Sequence, residues 1–289
     1  MAEQFIKIFG ERNTGTRAIT LMLQELPHIT TRLPVNRMAP ELAALRNRVK
    51  DRQYGHWVEL YLDAIKDQHE QTLQGIGDWK HTAPVFDQSY VGANAKILFA
   101  VRNPYSWLLS LAKRPYHIRG KICTTLEQFV DLPWLTLRRD HLDGVLISPM
   151  SLWTEKLRAY SVFLKSSSQP SEWITFEAFI VDPVAILGGA LTRLDVSSEG
   201  LVASEESTKP GQVPLPKIQE KYLTEEWKNL LSRQTVALIN DLTDWDVAAE
   251  FGYEKFDPRD FPINLSDDIN KRIFGFLQKG SPRKAPKKG

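Results

Sequence analysis

The chain has 289 residues, a net charge of +2 at pH 7 and 42% hydrophobic residues, a composition typical of a folded globular protein. So small a net charge does not indicate nucleic acid or a charged membrane surface as the main partner. Cys123 is the only cysteine, so intrachain disulfides and a thiolate metal cluster are excluded.

Short apolar runs alternate with helical patterns along the chain. The runs typical of buried strands are, in chain order, 5–9, 96–101 and 173–176. The stretches with helical spacing are 16–26, 40–50, 152–164, 224–231 and 236–251, and further helices are predicted to begin at Pro104 and Pro183. This alternation predicts an α/β fold with a mostly parallel central sheet flanked by helices on both faces.

One domain is predicted over residues 1–279, followed by a basic tail at 280–289 whose composition indicates disorder. Residues 198–217 are rich in Ser, Glu, Pro and Gly, which predicts a long surface loop. No run approaches the about 18 apolar residues of a membrane helix, and the first residues lack the layout of a secretory signal. We therefore expect a cytoplasmic protein without a membrane span.

A glycine-containing loop separates the first predicted strand from the first predicted helix. Gly10 and Gly15 have the spacing of a Walker A loop, and backbone N–H groups beside a helix N-terminus form an anion site. Thr16 and Arg17 replace the Walker Lys and Ser or Thr, and the second predicted strand ends in Arg102 instead of a magnesium-binding Asp. The loop therefore suits an anion that needs no magnesium; the alternative is a tight turn without a ligand.

A basic residue and a hydroxyl follow the second predicted strand. Arg102 leaves this strand, and Ser110 comes later on the next predicted helix, so both would lie near the carboxyl edge of the sheet. Arg offers a fork of donors for a phosphate, and Ser adds a hydroxyl. Alternatively, Arg102 caps a strand end and Ser110 lies on a polar helix face.

Several segments, in this order, resemble motifs of the PAPS-dependent sulfotransferases (PAPS is 3′-phosphoadenosine-5′-phosphosulfate). Each motif is short, but together they extend over most of the chain. The matching segments are 12–16 for the 5′-phosphosulfate loop, 101–105 with Ser110 for the 3′-phosphate motif, 174–177 with 182–183 for a later strand–turn–helix, and 251–253 for the end of the last helix.

The resemblance implies a P-loop NTPase-like sulfotransferase fold and an enzyme that moves the sulfuryl group of PAPS to a hydroxyl or amine, releasing PAP. The implied acceptor is a small molecule, a carbohydrate or another hydroxyl or amine compound, and no metal is expected. His81, next to Lys80, matches the histidine base of many members. Histidine suits proton removal near neutral pH; the alternative is a structural histidine at the mouth of a strand.

The resemblance also assigns individual residues. Asn13 stands where many members have Lys or Arg, and the replacing charge is expected from Arg12, Arg17 or Lys80. Lys209 stands in for the basic segment that completes the 3′-phosphate site. The residues expected to act in catalysis are His81, Lys80 and Arg12. The residues expected to bind PAPS are Arg12, Asn13, Thr14, Gly15, Thr16, Arg17, Arg102, Ser110 and Lys209.

Two other functions stay open at this point. A P-loop small-molecule kinase, or another nucleotide-dependent transferase, would share the scaffold, but the Walker lysine and the magnesium carboxylate are missing. A non-catalytic member that binds a nucleotide or a partner protein is the second alternative, which Asn13 leaves open.

Overall fold

The computed structural model describes residues 4–31, 40–51, 61–62, 64–65, 68, 79–85, 95–113, 115, 123–142, 144–203 and 215–278. The strands are β1 (Gln4–Phe9), β2 (Ile29–Thr30), β3 (Lys96–Val101), β4 (Trp134–Leu135), β5 (Val145–Leu146) and β6 (Ser171–Thr175). The α-helices are α1 (Thr16–Gln24), α2 (Pro40–Asp51), α3 (Pro104–Lys113), α4 (Leu126–Val130), α5 (Pro149–Ser166), α6 (Phe176–Val181), α7 (Pro183–Arg193), α8 (Leu215–Leu223), α9 (Arg233–Leu242), α10 (Trp245–Ala249) and α11 (Asp267–Gln278). Short 3₁₀ helices cover Arg138–Asp140, Glu226–Leu230 and Pro258–Asp260.

The central sheet is parallel throughout its described strands. They lie in the order β2, β1, β3, β6, and the register places Phe9 opposite Phe99. A separate antiparallel hairpin joins β4 to β5. The three predicted strands are confirmed, although the third ends at Thr175. Its hydroxyl accepts a hydrogen bond from the N–H of Ala178 and so caps the start of α6.

Helices cover both faces of this sheet. Successive side chains of a strand point to opposite faces, so neighbouring residues of β3 enter different cores. Phe99 and Val101 pack with residues of α3 and α5, while Leu98 and Ala100 pack with residues of α1 and α7. A strand buried on both faces is apolar throughout, as the sequence of β3 shows. The predicted α/β fold is therefore confirmed.

The C-terminal third departs from the helices that the sequence predicts. The pattern at 236–251 forms two helices, because Thr243 is extended and the Asp244 side chain accepts the N–H of Val247 at the start of α10. The helix predicted at 224–231 is wrong: Glu225 has a left-handed φ of 52°, and a 3₁₀ helix follows it.

The loop predicted at 198–217 is wrong at its end, since α8 already begins at Leu215. Residues 204–214 and the predicted tail at 280–289 lie outside the described residues. Among the described helices, none has both the length and the apolar character needed to cross a membrane.

The backbone of Gly10 passes very close to the end of β3. A Cβ atom at this position would lie 2.6 Å from Thr14 Oγ1, 2.6 Å from Thr16 Cγ2 and 2.8 Å from the carbonyl oxygen of Ala100. The Ala100 carbonyl belongs to the sheet, so it has little freedom to move aside. Glycine is therefore required here, and the following loop packs directly on the edge of the sheet.

We expect Gly10→Ala to lower the free energy of unfolding by about 1–3 kcal/mol, because overpacking forces the backbone to shift. Urea unfolding followed by circular dichroism measures this loss. Gly144→Ala is the matched control, since a Cβ atom there meets no described atom within 4 Å. Equal losses in the two variants would contradict the close packing at Gly10.

Candidate functional site

The loop between β1 and α1 turns through two residues in the left-handed region. Asn13 has a φ of 72° and Gly15 a φ of 85°, and both residue types tolerate this conformation. The Thr14 hydroxyl donates to the carbonyl oxygen of Glu11 at 2.7 Å. These contacts fix the loop before any ligand binds.

The two halves of this loop differ in their backbone N–H groups. In the first half, the N–H of Arg12 donates to Glu11 Oε1 at 2.7 Å, and the N–H of Thr14 donates to the Glu11 carbonyl at 3.3 Å. In the second half, α1 begins at Thr16, and the N–H groups of a first helical turn have no acceptor within their helix. Gly15 at the N-cap supplies no side-chain cap either. The start of α1 is therefore the end of the loop that suits an anion.

Arg102, directly after β3, contacts this loop. Its Nη1 donates to the carbonyl oxygen of Asn13 at 2.7 Å, its Nε donates to Ser106 Oγ at 2.9 Å, and its Nη2 donates to the Tyr222 hydroxyl. The guanidinium also lies over the Phe176 ring, 4.4 Å from its centroid. The structure thus brings together the two motifs that the sequence places far apart.

The serine that contacts Arg102 is Ser106, where the sequence analysis selects Ser110. One helical turn of α3 separates the two serines, and Ser110 is half-buried farther along the helix. Ser106 lies four residues after Arg102, a spacing that brings side chains together when a helix starts at Pro104. That spacing is the signal that the sequence analysis missed. A role for Ser110 stays a prediction.

The Glu177 carboxylate binds the chain just after β3. Its carboxylate accepts the N–H of Asn103 at 3.2 and 3.3 Å, the Ser106 hydroxyl at 2.9 Å and the Tyr253 hydroxyl at 3.2 Å. Burial raises the pKa of Glu177, and the nearby positive charge of Arg102 partly offsets this. Glu177 and Tyr253 belong to the segments 174–177 and 251–253. These two segments therefore meet next to Arg102, where β3 ends.

His81 lies on the other side of the loop. Its Nδ1 is 2.6 Å from the carbonyl oxygen of Gly10, and the N–H of Gly10 donates to the Lys80 carbonyl at 2.9 Å. A carbonyl only accepts hydrogen bonds, so Nδ1 carries the proton and Nε2 carries the basic lone pair. Burial, and to a smaller extent the positive charges of Arg12, Lys80 and Lys156, lower the His81 pKa to about 3, although the hydrogen bond to Gly10 raises it in part. His81 is therefore neutral near pH 7.

Trp79 packs against His81, and two guanidinium groups pack on Trp79. Trp79 meets the His81 ring edge-on at 5.2 Å, and the guanidinium groups of Arg12 and Arg139 lie 5.3 and 4.4 Å from the Trp79 ring centroid. Arg12 contacts the Trp79 ring that meets His81, and Lys80 precedes His81 directly, so the structure brings the three predicted catalytic residues together.

A buried lysine completes this side of the site. The Lys156 side chain on α5 is 0% exposed. Its Nζ donates to the carbonyl oxygens of His81 at 2.7 Å and Asp140 at 3.2 Å, and it lies 4.0 Å from Glu11 Oε2. The sequence analysis missed it, although a lysine flanked at helical spacing by buried Trp153 and Tyr160 is an unusual core residue.

Positively charged residues from distant parts of the chain act on Lys113, the last residue of α3. Burial, together with the positive charges of Arg102, Lys221 and Arg272, lowers the pKa of Lys113 to about 8. Lys221 lies on α8 and Arg272 on α11, so no local motif could reveal this grouping. Such a concentration of positive charge favours an anion there.

The remaining predicted cofactor residues have varied positions. Thr16 is buried at the start of α1, and Arg17 is exposed on the same helical turn. Lys209 lies outside the described residues. Cofactor binding by these residues stays a prediction.

Comparisons with known proteins give little further guidance. No family model matches the chain, and no curated protein matches it. Among solved structures, it is similar to the sulfotransferase domain from the Synechococcus PCC 7002 olefin synthase, with 14% identity, a TM-score of 0.37, and coverage of 83% of this chain and 94% of that chain. A likeness at this TM-score carries no functional argument.

The low pKa of His81 predicts a pH dependence of stability. The unfolded histidine has a pKa of about 6.5, so between that value and about 3 the unfolded state binds more protons than the folded state. Stability is therefore lost as the pH falls through this window. We expect the parent to lose more unfolding free energy than His81→Asn between about pH 7 and about pH 5, as measured by urea unfolding. Equal losses in both proteins would show that His81 titrates normally.

Proposed function

We propose that this protein is a sulfotransferase that binds PAPS across the loop between β1 and α1 and transfers its sulfuryl group to a hydroxyl or amine. One observation carries the proposal: the same short loop is bonded to Arg102 through Asn13 and to His81 through Gly10. The Arg102 guanidinium and a neutral histidine therefore flank the loop that would hold the anion. The sequence resemblance to the PAPS-dependent sulfotransferases supports this choice of donor.

The 5′-phosphate would bind at the start of α1. The N–H groups of the first helical turn and the positive end of the helix dipole favour a phosphate there. Arg12 and Lys80, whose charges already act on His81, would offset the negative charge that grows on this phosphate as the sulfuryl group leaves.

The 3′-phosphate would bind at Arg102. A guanidinium has five N–H groups, and the bonds to Ser106, Asn13 and Tyr222 use three of them, so two others can donate to a phosphate. The positive charges of Arg102 and Lys221 both act on Lys113, and this concentration of positive charge supports an anion there.

His81 would act as the base. Its Nε2 lone pair removes the proton of the acceptor hydroxyl or amine while that atom forms a bond to sulfur. The bond between sulfur and the 5′-phosphate oxygen breaks, and PAP keeps its electron pair. The negative charge of a bound donor opposes the cations that lower the His81 pKa, which makes His81 a stronger base when PAPS is present. Atoms and charges balance in this scheme without a metal ion.

Ligand-induced thermal stabilisation tests the donor. At about 100 Kd of PAP, binding adds roughly 2.7 kcal/mol to the stability of the folded state. We expect a clear rise in Tm with PAP, and smaller shifts with 5′-AMP and with ATP plus Mg²⁺. Arg102→Ala is expected to lose most of the PAP shift, because it removes the guanidinium near the 3′-phosphate.

Arg193→Ala is the matched control for this experiment. Arg193 is exposed, and it pairs with Glu172 at 2.9 Å near the start of β6, away from the carboxyl edge of the sheet. Its PAP shift should equal that of the parent. No shift with PAP, or a larger one with ATP plus Mg²⁺, would overturn the assigned donor and favour a kinase.

Transfer kinetics test the base. With an acceptor that the parent sulfates, drawn from a panel of phenols, sugars and amines, we expect His81→Ala to lower kcat by about 10²- to 10⁴-fold. The PAP-induced rise in Tm should persist in this variant, since the phosphates bind elsewhere.

His141→Ala is the comparison for the His81 variant. His141 is exposed, and its Nδ1 lies 3.0 Å from the hydroxyl of Thr82, the residue directly after His81. We expect it to keep most of its activity. A loss in His141→Ala with none in His81→Ala would move the role of base to His141.

A further inference from the structure

Lys156 contacts three separate chain segments: the one that contains His81 and two that lie beside it. Its ammonium donates to the His81 carbonyl at 2.7 Å and to the Asp140 carbonyl at 3.2 Å. It also lies 3.7 Å from Asp140 Oδ1 and 4.0 Å from Glu11 Oε2. The His81 segment, the 3₁₀ turn with Asp140 and the loop with Glu11 therefore share one buried cation.

We propose that Lys156 is a positioning residue, which orients the His81 ring against the loop between β1 and α1. The effect on transfer rests on the proposed function, whereas the effect on the His81 ring does not. Lys156 does not touch the reacting atoms in this assignment; it acts through the His81 backbone and through Glu11.

The contacts form a closed circuit. The His81 ring bonds to the Gly10 carbonyl at 2.6 Å, and the Gly10 N–H bonds to the Lys80 carbonyl at 2.9 Å. Lys156 contacts both sides of the bond between His81 and Gly10. It donates to the His81 carbonyl, and it lies near the carboxylate of Glu11, the residue directly after Gly10. Fixing the His81 carbonyl fixes the peptide plane from which the ring projects. Loss of Lys156 would therefore free the His81 ring from the Gly10 carbonyl.

The burial of Lys156 favours a directional role over a packing role. Removing an ammonium and a carboxylate from water is unfavourable, and an apolar side chain of similar size often packs at least as well. Burial lowers the Lys156 pKa, while the charges of Glu11 and Asp140 raise it in part. A merely apolar contact with α5 would not need such a residue, whereas aligning two carbonyls needs an N–H donor of this reach.

The test compares Glu11→Gln with the double variant Glu11→Gln/Lys156→Met. The single variant Lys156→Met would remove the buried positive charge beside the Glu11 carboxylate and so destabilise the fold, whereas the double variant removes both of these charges. Asp140, whose Oδ1 lies 3.7 Å from Lys156 Nζ, is unchanged in every variant. Lys165→Met is the control on the same helix, because Lys165 is exposed and pairs with Glu250 at 2.5 Å. Lys156→Gln, which keeps a neutral donor, is the second variant if the double variant does not fold.

The first readout is the tautomer of the His81 ring, measured by ¹⁵N NMR near neutral pH. In the parent, in Glu11→Gln and in Lys165→Met, we expect the Nδ1–H form that bonds to the Gly10 carbonyl. In the double variant we expect a mixture with the Nε2–H form. A change in global stability alone would not move this signal. An unchanged tautomer in a folded double variant would overturn the proposal.

The second readout is transfer from PAPS to an acceptor that the parent sulfates. We expect kcat to fall roughly 10- to 100-fold in the double variant relative to Glu11→Gln, as for a misplaced catalytic group. The KM for PAPS should change much less. A parent protein without transfer activity would refute the proposed function, and the NMR signal would still decide the role of Lys156. Equal kcat values in the two variants would show that positioning by Lys156 does not matter for transfer.

Discussion

The close approach of the Gly10 backbone to the end of β3 determines where every other part of the site can lie. A side chain at this position would collide with the Ala100 carbonyl, so the loop rests directly on the edge of the sheet. With the loop in this position, the Gly10 carbonyl faces the His81 ring, and the Asn13 carbonyl faces Arg102. Two residues from separate chain segments thus meet the same loop through its backbone. Substitutions that keep the loop backbone in place would preserve this arrangement.

The distribution of charge gives this arrangement its chemical character. One group of cations, Arg12, Lys80 and Lys156, acts on His81, and burial together with these charges holds the His81 pKa near 3. A second group, Arg102, Lys221 and Arg272, acts on Lys113, and burial together with these charges lowers the Lys113 pKa to about 8. Positive charges held close together are stabilised when an anion binds among them. A ligand with a phosphate at each end would satisfy both groups, which is the charge distribution of PAPS.

The sequence predicts the parts of this site that depend on local pattern. The apolar runs of β1 and β3, the glycines of the loop and the basic residue after β3 are all visible within a few residues of chain. The pairing of Arg102 with Ser106 depends on where α3 begins, and Pro104 predicts this start because proline is favoured in the first turn of a helix. In contrast, the contacts of Lys156 with His81 and of Tyr222 with Arg102 join segments 75 and 120 residues apart. No spacing rule covers such pairs, because the packing of α5 against the sheet and of α8 against α6 creates them.

The crystal structure of the protein with PAP tests the central claim most directly. The account predicts the 5′-phosphate against the N–H groups of the first turn of α1, and the 3′-phosphate within hydrogen-bond distance of the Arg102 guanidinium. His81 Nε2 would then face the space beyond the 5′-phosphate where the sulfuryl group of PAPS would lie. Electron density for PAP away from this loop, or phosphates that contact neither α1 nor Arg102, would contradict the account.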